Sequence, residues 1–305
     1  MRRKPISLGK IELDQPLMTA SGTAGYGAEF ADYLPLRSLG AVVTKSVAHF
    51  EWPGNRAPRL QPTTAGMLNS VGLQGSGVDQ FIDHDLPALE RVGAKIVPSV
   101  WGHSVDDYRL VTARLAEVAD RIAAIEVNLS CPNLGGDHTM FAHDAELAAQ
   151  IIEQCEKFGV PLWAKLSPNT DRLVEIARRV TSAGSQALTL INTVFGMAID
   201  TNTGRPSLGN GRGGLSGPAI RPIAVRCIYD VRAALPEAKI IGVGGVVDAE
   251  SAFELMMAGA DAVQVGTATF ADPKALSKIL AELNRWADAR GISDWSQVTA
   301  AAHRV

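Results

Sequence analysis

Short apolar runs recur along the whole chain, and each of them ends in small or polar residues. The runs are rich in Val, Ile and Leu, and segments whose apolar positions have helical spacing come between them. Near-continuous apolar runs are typical of parallel strands that are covered on both faces. The eight predicted strands cover residues 16–21, 41–46, 95–100, 124–130, 161–167, 187–193, 239–245 and 262–268.

Helical spacing is clearest over residues 105–122 and 144–159. The second segment begins at Asp144 and ends at Gly159, residue types that favour the two ends of a helix. Eight strand-then-helix units predict an α/β fold, a (β/α)8 barrel of the TIM type, with residues 1–305 as a single domain. A doubly wound open sheet is the alternative, but the count of eight units and their even spacing favour the closed barrel.

Two intervals between predicted elements are too long for one helix. Residues 47–80 follow the second strand and residues 194–217 follow the sixth, and both are rich in Gly, Pro, Asn and Thr. Long loops without secondary structure are usually functional, and loops that follow barrel strands lie on the catalytic face. We therefore expect two irregular loops that cover a pocket, and a small element at residues 4–13 that closes the opposite end.

The composition argues against several classes of protein. The 305 residues carry a net charge of −3, which gives no sign of a nucleic-acid or anionic-membrane surface. Cys131, Cys155 and Cys227 form no CxxC pair, and the six histidines have no metal-site spacing, so we expect no metal site. The N-terminal stretch has no signal-peptide pattern and no apolar run is long enough to span a bilayer, so we expect a cytoplasmic protein that does not bind membranes.

Lysines and a cysteine stand where the predicted strands end. Lys45 and Lys165 occupy equivalent positions on the second and fifth strands. Snorkelling at the rim of the barrel explains one such lysine, but two of them predict contact with something electron-rich. Cys131 follows the fourth strand in the polar turn VNLSCPN, which is a poor place for packing and a good one for chemistry.

Glycines follow the last two strands, in GVGG (242–245) and VGT (265–267). Backbone N–H groups at helix starts bind phosphate, and this part of a barrel commonly does so, although close packing of helix on strand is the alternative. The GxGxxG at residues 209–214 is not between a strand and a helix, so we interpret it as a flexible loop. A phosphate seat with two cations predicts flavin mononucleotide (FMN), with a lysine near the ring.

Nine motifs, in order along nearly the whole chain, resemble those of class 1 dihydroorotate dehydrogenases, and specifically of the class 1B catalytic subunit. The motifs are MTASGTAGYG (18–27), VTKS (43–46), AGMLNSVGLQ (65–74), EVNLSCPN (126–133), AKLSPN (164–169), LINTVFGMAID (190–200), GGLSGPAIRP (213–222), GVGG (242–245) and VGTATF (265–270). The resemblance implies oxidation of (S)-dihydroorotate to orotate in de novo pyrimidine (UMP) biosynthesis.

The resemblance also implies roles for individual residues. Cys131 matches the base that removes a proton from C5 of dihydroorotate, while hydride passes from C6 to N5 of FMN. The residues that match substrate-binding positions are Lys45, Asn69, Gly72, Leu73, Asn128, Asn133, Asn192 and Thr193. Those that match FMN-binding positions are Ala20, Ser21, Lys45, Ser46, Asn128, Lys165, Ile191, Ser216, Gly217, Gly244, Gly245, Gly266 and Thr267.

Class 1B relatives work with a second subunit that carries FAD and a [2Fe-2S] cluster and passes electrons to NAD⁺. The resemblance therefore implies a homodimer, possibly extended to a heterotetramer with that subunit. Class 2 relatives have serine at the position of Cys131 and an N-terminal membrane-associating extension. We expect no such extension in this protein.

Two features depart from the family pattern. The loop after Asn133 reads LGGDHTMFAHD, which differs from the family pattern. Trp101 stands where the family has a small residue, so the ring of Trp101 either reshapes the pocket or packs into the core. These departures leave open a paralogous FMN oxidoreductase that acts on another dihydropyrimidine or heterocycle. A phosphate-binding lyase or aldolase barrel, with a Schiff base on Lys165, is a further alternative.

Overall fold

The structure is a computed structural model that describes residues 3–130 and 141–304. The barrel strands are short because backbone pairing covers only the middle of each apolar run. In chain order, the strands of the structure are β1 (Ile6–Leu8), β2 (Ile11–Leu13), β3 (Leu17–Thr19), β4 (Val42–Val43), β5 (Leu60–Thr63), β6 (Gly66–Asn69), β7 (Ile96–Val97), β8 (Ser99–Val100), β9 (Ile125–Asn128), β10 (Leu162–Leu166), β11 (Ala187–Leu190), β12 (Val194–Gly196), β13 (Ile199–Asp200), β14 (Arg205–Pro206), β15 (Gly213–Ser216), β16 (Ile240–Val243) and β17 (Ala262–Val265).

All eight predicted barrel strands are present, and they are parallel. Seven of them pair in the order β3-β17-β16-β11-β10-β9-β8. Pro98, which has no N–H group to donate, separates β7 from β8 within the third barrel strand. The second barrel strand, β4, pairs with β7 and meets β3 through a parallel bridge between Met18 and Ala41. The predicted (β/α)8 barrel is thereby confirmed.

Helices follow the barrel strands and cover them on the outside. They are α1 (Val78–Gln80), α2 (Leu86–Arg91), α3 (Val105–Ala116), α4 (Ala145–Glu156), α5 (Leu173–Ser182), α6 (Arg221–Ala234), α7 (Ala249–Ala258), α8 (Ala268–Ala271) and α9 (Ala275–Ala289), with a π-helical turn at Phe81–Asp85 between the first two. Among the described residues, none of these helices has the length and apolar character needed to span a bilayer.

The two helices predicted between strands are present with shorter bounds. α4 is capped by Asp144, whose carboxylate accepts hydrogen bonds from the N–H groups of Glu146 and Leu147. α3 ends before the predicted limit of residue 122 because the backbone leaves helical geometry at Val118. A separate 3-10 turn at Ala119–Arg121 follows it.

The N-terminal hairpin of β1 and β2 closes the end of the barrel at which the strands begin. Leu8 and Leu13 are fully buried against the core. The N–H of Lys10 donates to Oε1 of Gln186, the residue just before β11, at 3.1 Å. The expectation that residues 4–13 plug this end is confirmed.

The two long intervals cover the cavity as expected, but the expectation that they are irregular throughout was wrong. β5 and β6 belong to the first interval, β12 and β15 to the second, and together they form one antiparallel sheet in the order β12-β15-β6-β5. We call this four-stranded sheet the cover sheet. Gly214 pairs with Asn69 at its centre, so a contact between the two intervals creates the sheet. Its four strands read as loop in sequence because they are short and rich in glycine.

Thr19 carries the junction between β3 and β4. Its fully buried hydroxyl donates to the carbonyl of Val43 at 2.9 Å and accepts from the N–H of the same residue at 2.8 Å. The side chain thus replaces a pair of backbone hydrogen bonds at the point where the ring closes.

We predict that Thr19→Val destabilises the protein, because it leaves a buried N–H and a buried carbonyl of Val43 without partners. Such groups cost roughly 1–3 kcal/mol each, and urea unfolding monitored by circular dichroism measures the loss. Thr112→Val is the matched control, since the buried hydroxyl of Thr112 donates only to the sulfur of Cys155. Equal losses in the two variants would contradict the proposed role of Thr19.

Candidate active site

A cavity of about 1010 Å³ opens where the barrel strands end, between those ends and the cover sheet. Every predicted site residue that the structure describes lies in its wall. These residues are Ala20, Ser21, Lys45, Ser46, Asn69, Gly72, Leu73, Asn128, Lys165, Ile191, Asn192, Thr193, Ser216, Gly217, Gly244, Gly245, Gly266 and Thr267. Cys131 and Asn133 lie outside the described residues, and the roles of all these positions remain predictions.

Lys165 is held by partners inside the barrel. Its ammonium donates to the hydroxyl of Ser21 at 3.0 Å and to Oε1 of Glu126 at 3.3 Å. The lysine side chain is 5% exposed and the glutamate is fully buried. The electron-rich contact predicted for this lysine is therefore, at least in part, a carboxylate of the protein itself.

Glu126 is a functional candidate that the sequence reasoning missed. Its second oxygen accepts from the hydroxyl of Thr189 at 3.1 Å and from the amide of Gln264 at 2.7 Å. The signal was present, because an acidic residue stands inside the apolar run AIEVNLS, where an unpaired charge would be costly. The same motif also contains Cys131, to which the sequence analysis assigned the chemistry.

Lys45 is the second cation of the cavity. Burial lowers the pKa of its ammonium, and the positive charge of Arg59 lowers that pKa further. Arg59 is fixed by hydrogen bonds from its guanidinium to the backbone carbonyls of Asn55 and Pro53, on the way into β5. Both positive charges favour an anionic ligand on this side of the cavity.

Side-chain amides form a second group in the wall. The amide N–H of Asn192 donates to Oδ1 of Asn128 at 3.1 Å, and Oδ1 of Asn192 accepts from the N–H of Thr193. Asn69 donates from the cover sheet to the carbonyl of Gly214. These contacts orient three amides around the cavity, which suits a ligand with several hydrogen-bonding edges.

Asn169 is another residue that the sequence reasoning assigned no role. Its amide donates to the carbonyl of Thr193 at 2.9 Å, and its oxygen accepts from the N–H of Phe195 at 2.9 Å. It thereby joins the end of the fifth barrel strand to the start of the cover sheet. The motif AKLSPN contained it, but a contact with a segment so far along the chain leaves no local signal.

Glycines after β16 and β17 form a backbone-lined part of the wall. Gly244 and Gly245 have φ angles of 132° and 79°, which other residues rarely adopt. A Cβ atom on Gly245 would lie 2.6 Å from the Cβ of Arg221. Opposite them, the hydroxyl of Thr267 donates to that of Ser216 at 2.8 Å or accepts from it. Backbone N–H groups with small neighbours in a cavity wall fit a phosphate group.

Trp101 both packs into the core and borders the pocket, the two alternatives that the sequence left open. The residue is 1% exposed and belongs to the hydrophobic core, and it also lines the cavity. Its ring packs edge-on against those of Phe50, Trp52 and His103, with centroids 5.5, 6.2 and 4.8 Å away. The cavity therefore has one aromatic wall, next to the third barrel strand.

The arrangement as a whole suits a planar, electron-rich cofactor that carries a phosphate, together with a small polar substrate. A Schiff-base lyase fits less well, because the amino group of Lys165 is already engaged by Ser21 and Glu126 rather than free to attack a carbonyl group. Among the described residues, no group of three or more acidic, histidine or cysteine side chains could hold a metal ion.

Comparison with known proteins points to the same chemistry. The family described as "Dihydroorotate dehydrogenase" matches residues 6–286. Relatives named "Dihydroorotate dehydrogenase B (NAD(+)), catalytic subunit" include those of Desulforamulus reducens, 42% identical over 98% of each chain, and Geobacter sp. strain M21, 44% identical over 92% of each chain. The relative of the same name from Listeria monocytogenes is 42% identical over 96% of each chain.

Both the extent and the level of these matches agree with the barrel and with the polar groups in its mouth. They leave no large part of the chain unmatched. The chain therefore belongs to the dihydroorotate dehydrogenase family, a family of flavin-dependent oxidoreductases, and within it to class 1B.

Proposed function

We propose that this chain oxidises (S)-dihydroorotate to orotate, a step of pyrimidine synthesis, with FMN as its flavin. The observation that carries the proposal is that one cavity collects two lysines, three oriented amides and a glycine-rich backbone cradle in a chain of this family. Each of these groups has a task in the reaction.

The cradle and the buried lysine fit FMN. The backbone at Gly244, Gly245 and Gly266 would hold the phosphate, and Lys165 would face the ring with its remaining N–H donor. When bound, FMN supplies a hydride acceptor. A positive charge fixed beside the ring favours the cofactor form that carries the added electrons.

The amides and Lys45 would hold the substrate. Asn69, Asn128 and Asn192 offer donors and acceptors that match the edges of a dihydropyrimidine ring, and Lys45 offers a cation to its carboxylate. A site built from hydrogen-bonding groups rejects analogues that lack the matching atoms, because its polar groups would then be left unpaired.

Cys131 is proposed as the base, on the strength of the sequence motif. A free cysteine thiol has a pKa of about 8.5, so only a few per cent is thiolate at neutral pH. The thiolate would take the proton from C5 of dihydroorotate while the hydride leaves from C6. Positioned proton transfer of this kind contributes about 10²- to 10⁴-fold to the rate.

The final electron acceptor proposed is NAD⁺, reached through a partner. The relatives' names contain both NAD(+) and "catalytic subunit". We propose a homodimer of this chain that binds a second subunit carrying FAD and a [2Fe-2S] cluster. Location in the cytoplasm is part of the same proposal.

We predict that anaerobic addition of dihydroorotate to the purified chain bleaches the visible absorption of its flavin and produces orotate in equal amount. Stopped-flow absorbance and chromatography measure the two quantities. Bound flavin that dihydroorotate does not bleach, but another dihydropyrimidine does, would move the assignment to a paralogous oxidoreductase.

We predict that Cys131→Ser slows flavin reduction at neutral pH by about 10²- to 10⁴-fold, because a serine hydroxyl is ionised far less than a thiol at that pH. The rate of the unaltered enzyme should rise toward alkaline pH as the thiolate fraction grows. Cys227→Ala is the matched control, since Cys227 is buried in α6, away from the cavity. Near-normal flavin reduction in Cys131→Ala would show that another group is the base.

We predict that orotate binds less tightly as the pH rises, and that the loss begins at a lower pH than the ordinary lysine pKa of 10.5 would give, because burial and Arg59 lower the pKa of Lys45. Lys45→Met should weaken binding about tenfold and abolish this pH dependence. Flavin difference spectra in a Cys131→Ser background measure the affinity without a contribution from the thiol. Lys157→Met, at an exposed lysine of the helix layer, is the control and should change neither quantity.

A further inference from the structure

Glu126 occupies a position that the proposed reaction does not use. Its carboxylate is fully buried inside the barrel. Three other barrel strands supply donors to it: Lys165 from β10, Thr189 from β11 and Gln264 from β17. A charge kept in such a place requires both an opposite charge and hydrogen bonds.

The hydrogen bonds of Lys165 leave a donor for a ligand. An ammonium group has three N–H donors. Two of them are directed to Ser21 and Glu126, and the lysine itself lines the cavity. Glu126 therefore determines both where the ammonium lies and how many donors it can offer.

We infer that Glu126 is a positioning residue: its carboxylate pairs with the ammonium of Lys165 and holds it at the cavity wall, and through that lysine it would set the reduction potential of the bound cofactor. The inference deepens the proposed function and rests on it. Glu126 does not itself line the cavity, so any effect on the flavin must pass through its partners.

The other charged groups near the cavity cannot replace Glu126. Lys45 reaches the cavity from β4, and Arg59 stands behind it near β5, and both are positive. The remaining partners of Glu126, Thr189 and Gln264, are neutral. Among the described residues of this cluster, Glu126 is thus the negative charge that balances Lys165.

Glu126→Gln tests the inference with little change in volume. The new amide fills the same space and can still hydrogen-bond with Gln264, but it carries no negative charge to pair with Lys165. The substitution therefore favours loss of the lysine's charge. A neutral amine stabilises an electron-rich ring less well than an ammonium does.

We predict that the equilibrium constant for reduction of the bound flavin falls about tenfold in Glu126→Gln at neutral pH, which corresponds to about 30 mV for a two-electron couple. Anaerobic redox titration of the flavin against indicator dyes measures this effect without turnover.

Two further variants separate charge from structure. Thr189→Val removes a hydrogen bond from Glu126 but no charge, and should leave the potential unchanged. Lys165→Met should lower the potential by itself, and Glu126→Gln added to it should lower the potential no further. If Glu126→Gln alone fails to fold, the double variant, which lacks both buried charges, still provides this comparison.

The outcomes distinguish the inference from the function on which it rests. A flavin-loaded Glu126→Gln protein whose potential equals that of the unaltered protein would overturn the inference alone. So would a raised potential, or a further shift on the Lys165→Met background. Absence of flavin from the unaltered protein, or a flavin that dihydroorotate does not reduce, would overturn the proposed function and the inference together.

Discussion

The parallel closure of eight short strands is the constraint on which the rest of the molecule depends. Parallel strands in a closed ring all end at the same rim, so residues from every part of the chain meet there. The two hydrogen bonds between Thr19 and Val43 contribute at the one junction where regular pairing is weakest. The cations, amides and glycines of the cavity are neighbours only because that ring is complete.

The cover sheet adds a second constraint, which acts on the side of the cavity opposite the barrel strands. A strand that slips by one residue turns its side chains to the opposite face. Pairing of Asn69 with Gly214 therefore also decides which side chains of β6 face the cavity. Asn169 fixes the same sheet from below, through Thr193 and Phe195. Barrel and cover are thus held in register by side chains as well as by backbone.

Much of this could be predicted from the sequence, because the decisive signals are local. Apolar runs with polar ends predicted the strands, and those ends predicted many of the residues that line the cavity. Asn69, Gly72, Leu73, Ser216 and Gly217 were predicted only through the family resemblance. The cover sheet could not be predicted in this way, because its central pair, β6 and β15, joins residues more than a hundred positions apart and its short strands have no pattern of their own. Glu126 was visible as a charge in an apolar run, but only the fold shows that its partner is Lys165. The roles of Cys131 and Asn133 still rest on the sequence motif alone.

The shared cover sheet also bears on how members of this family can diverge. β6 and β15 are central strands of that sheet, and each comes from a different insertion into the barrel. A change of register in one interval would break its pairing with the other and leave backbone donors and acceptors without partners beside the cavity. The two intervals therefore form one structural unit, although they are far apart in the chain, and we expect a change of cavity shape through one to require a matched change in the other.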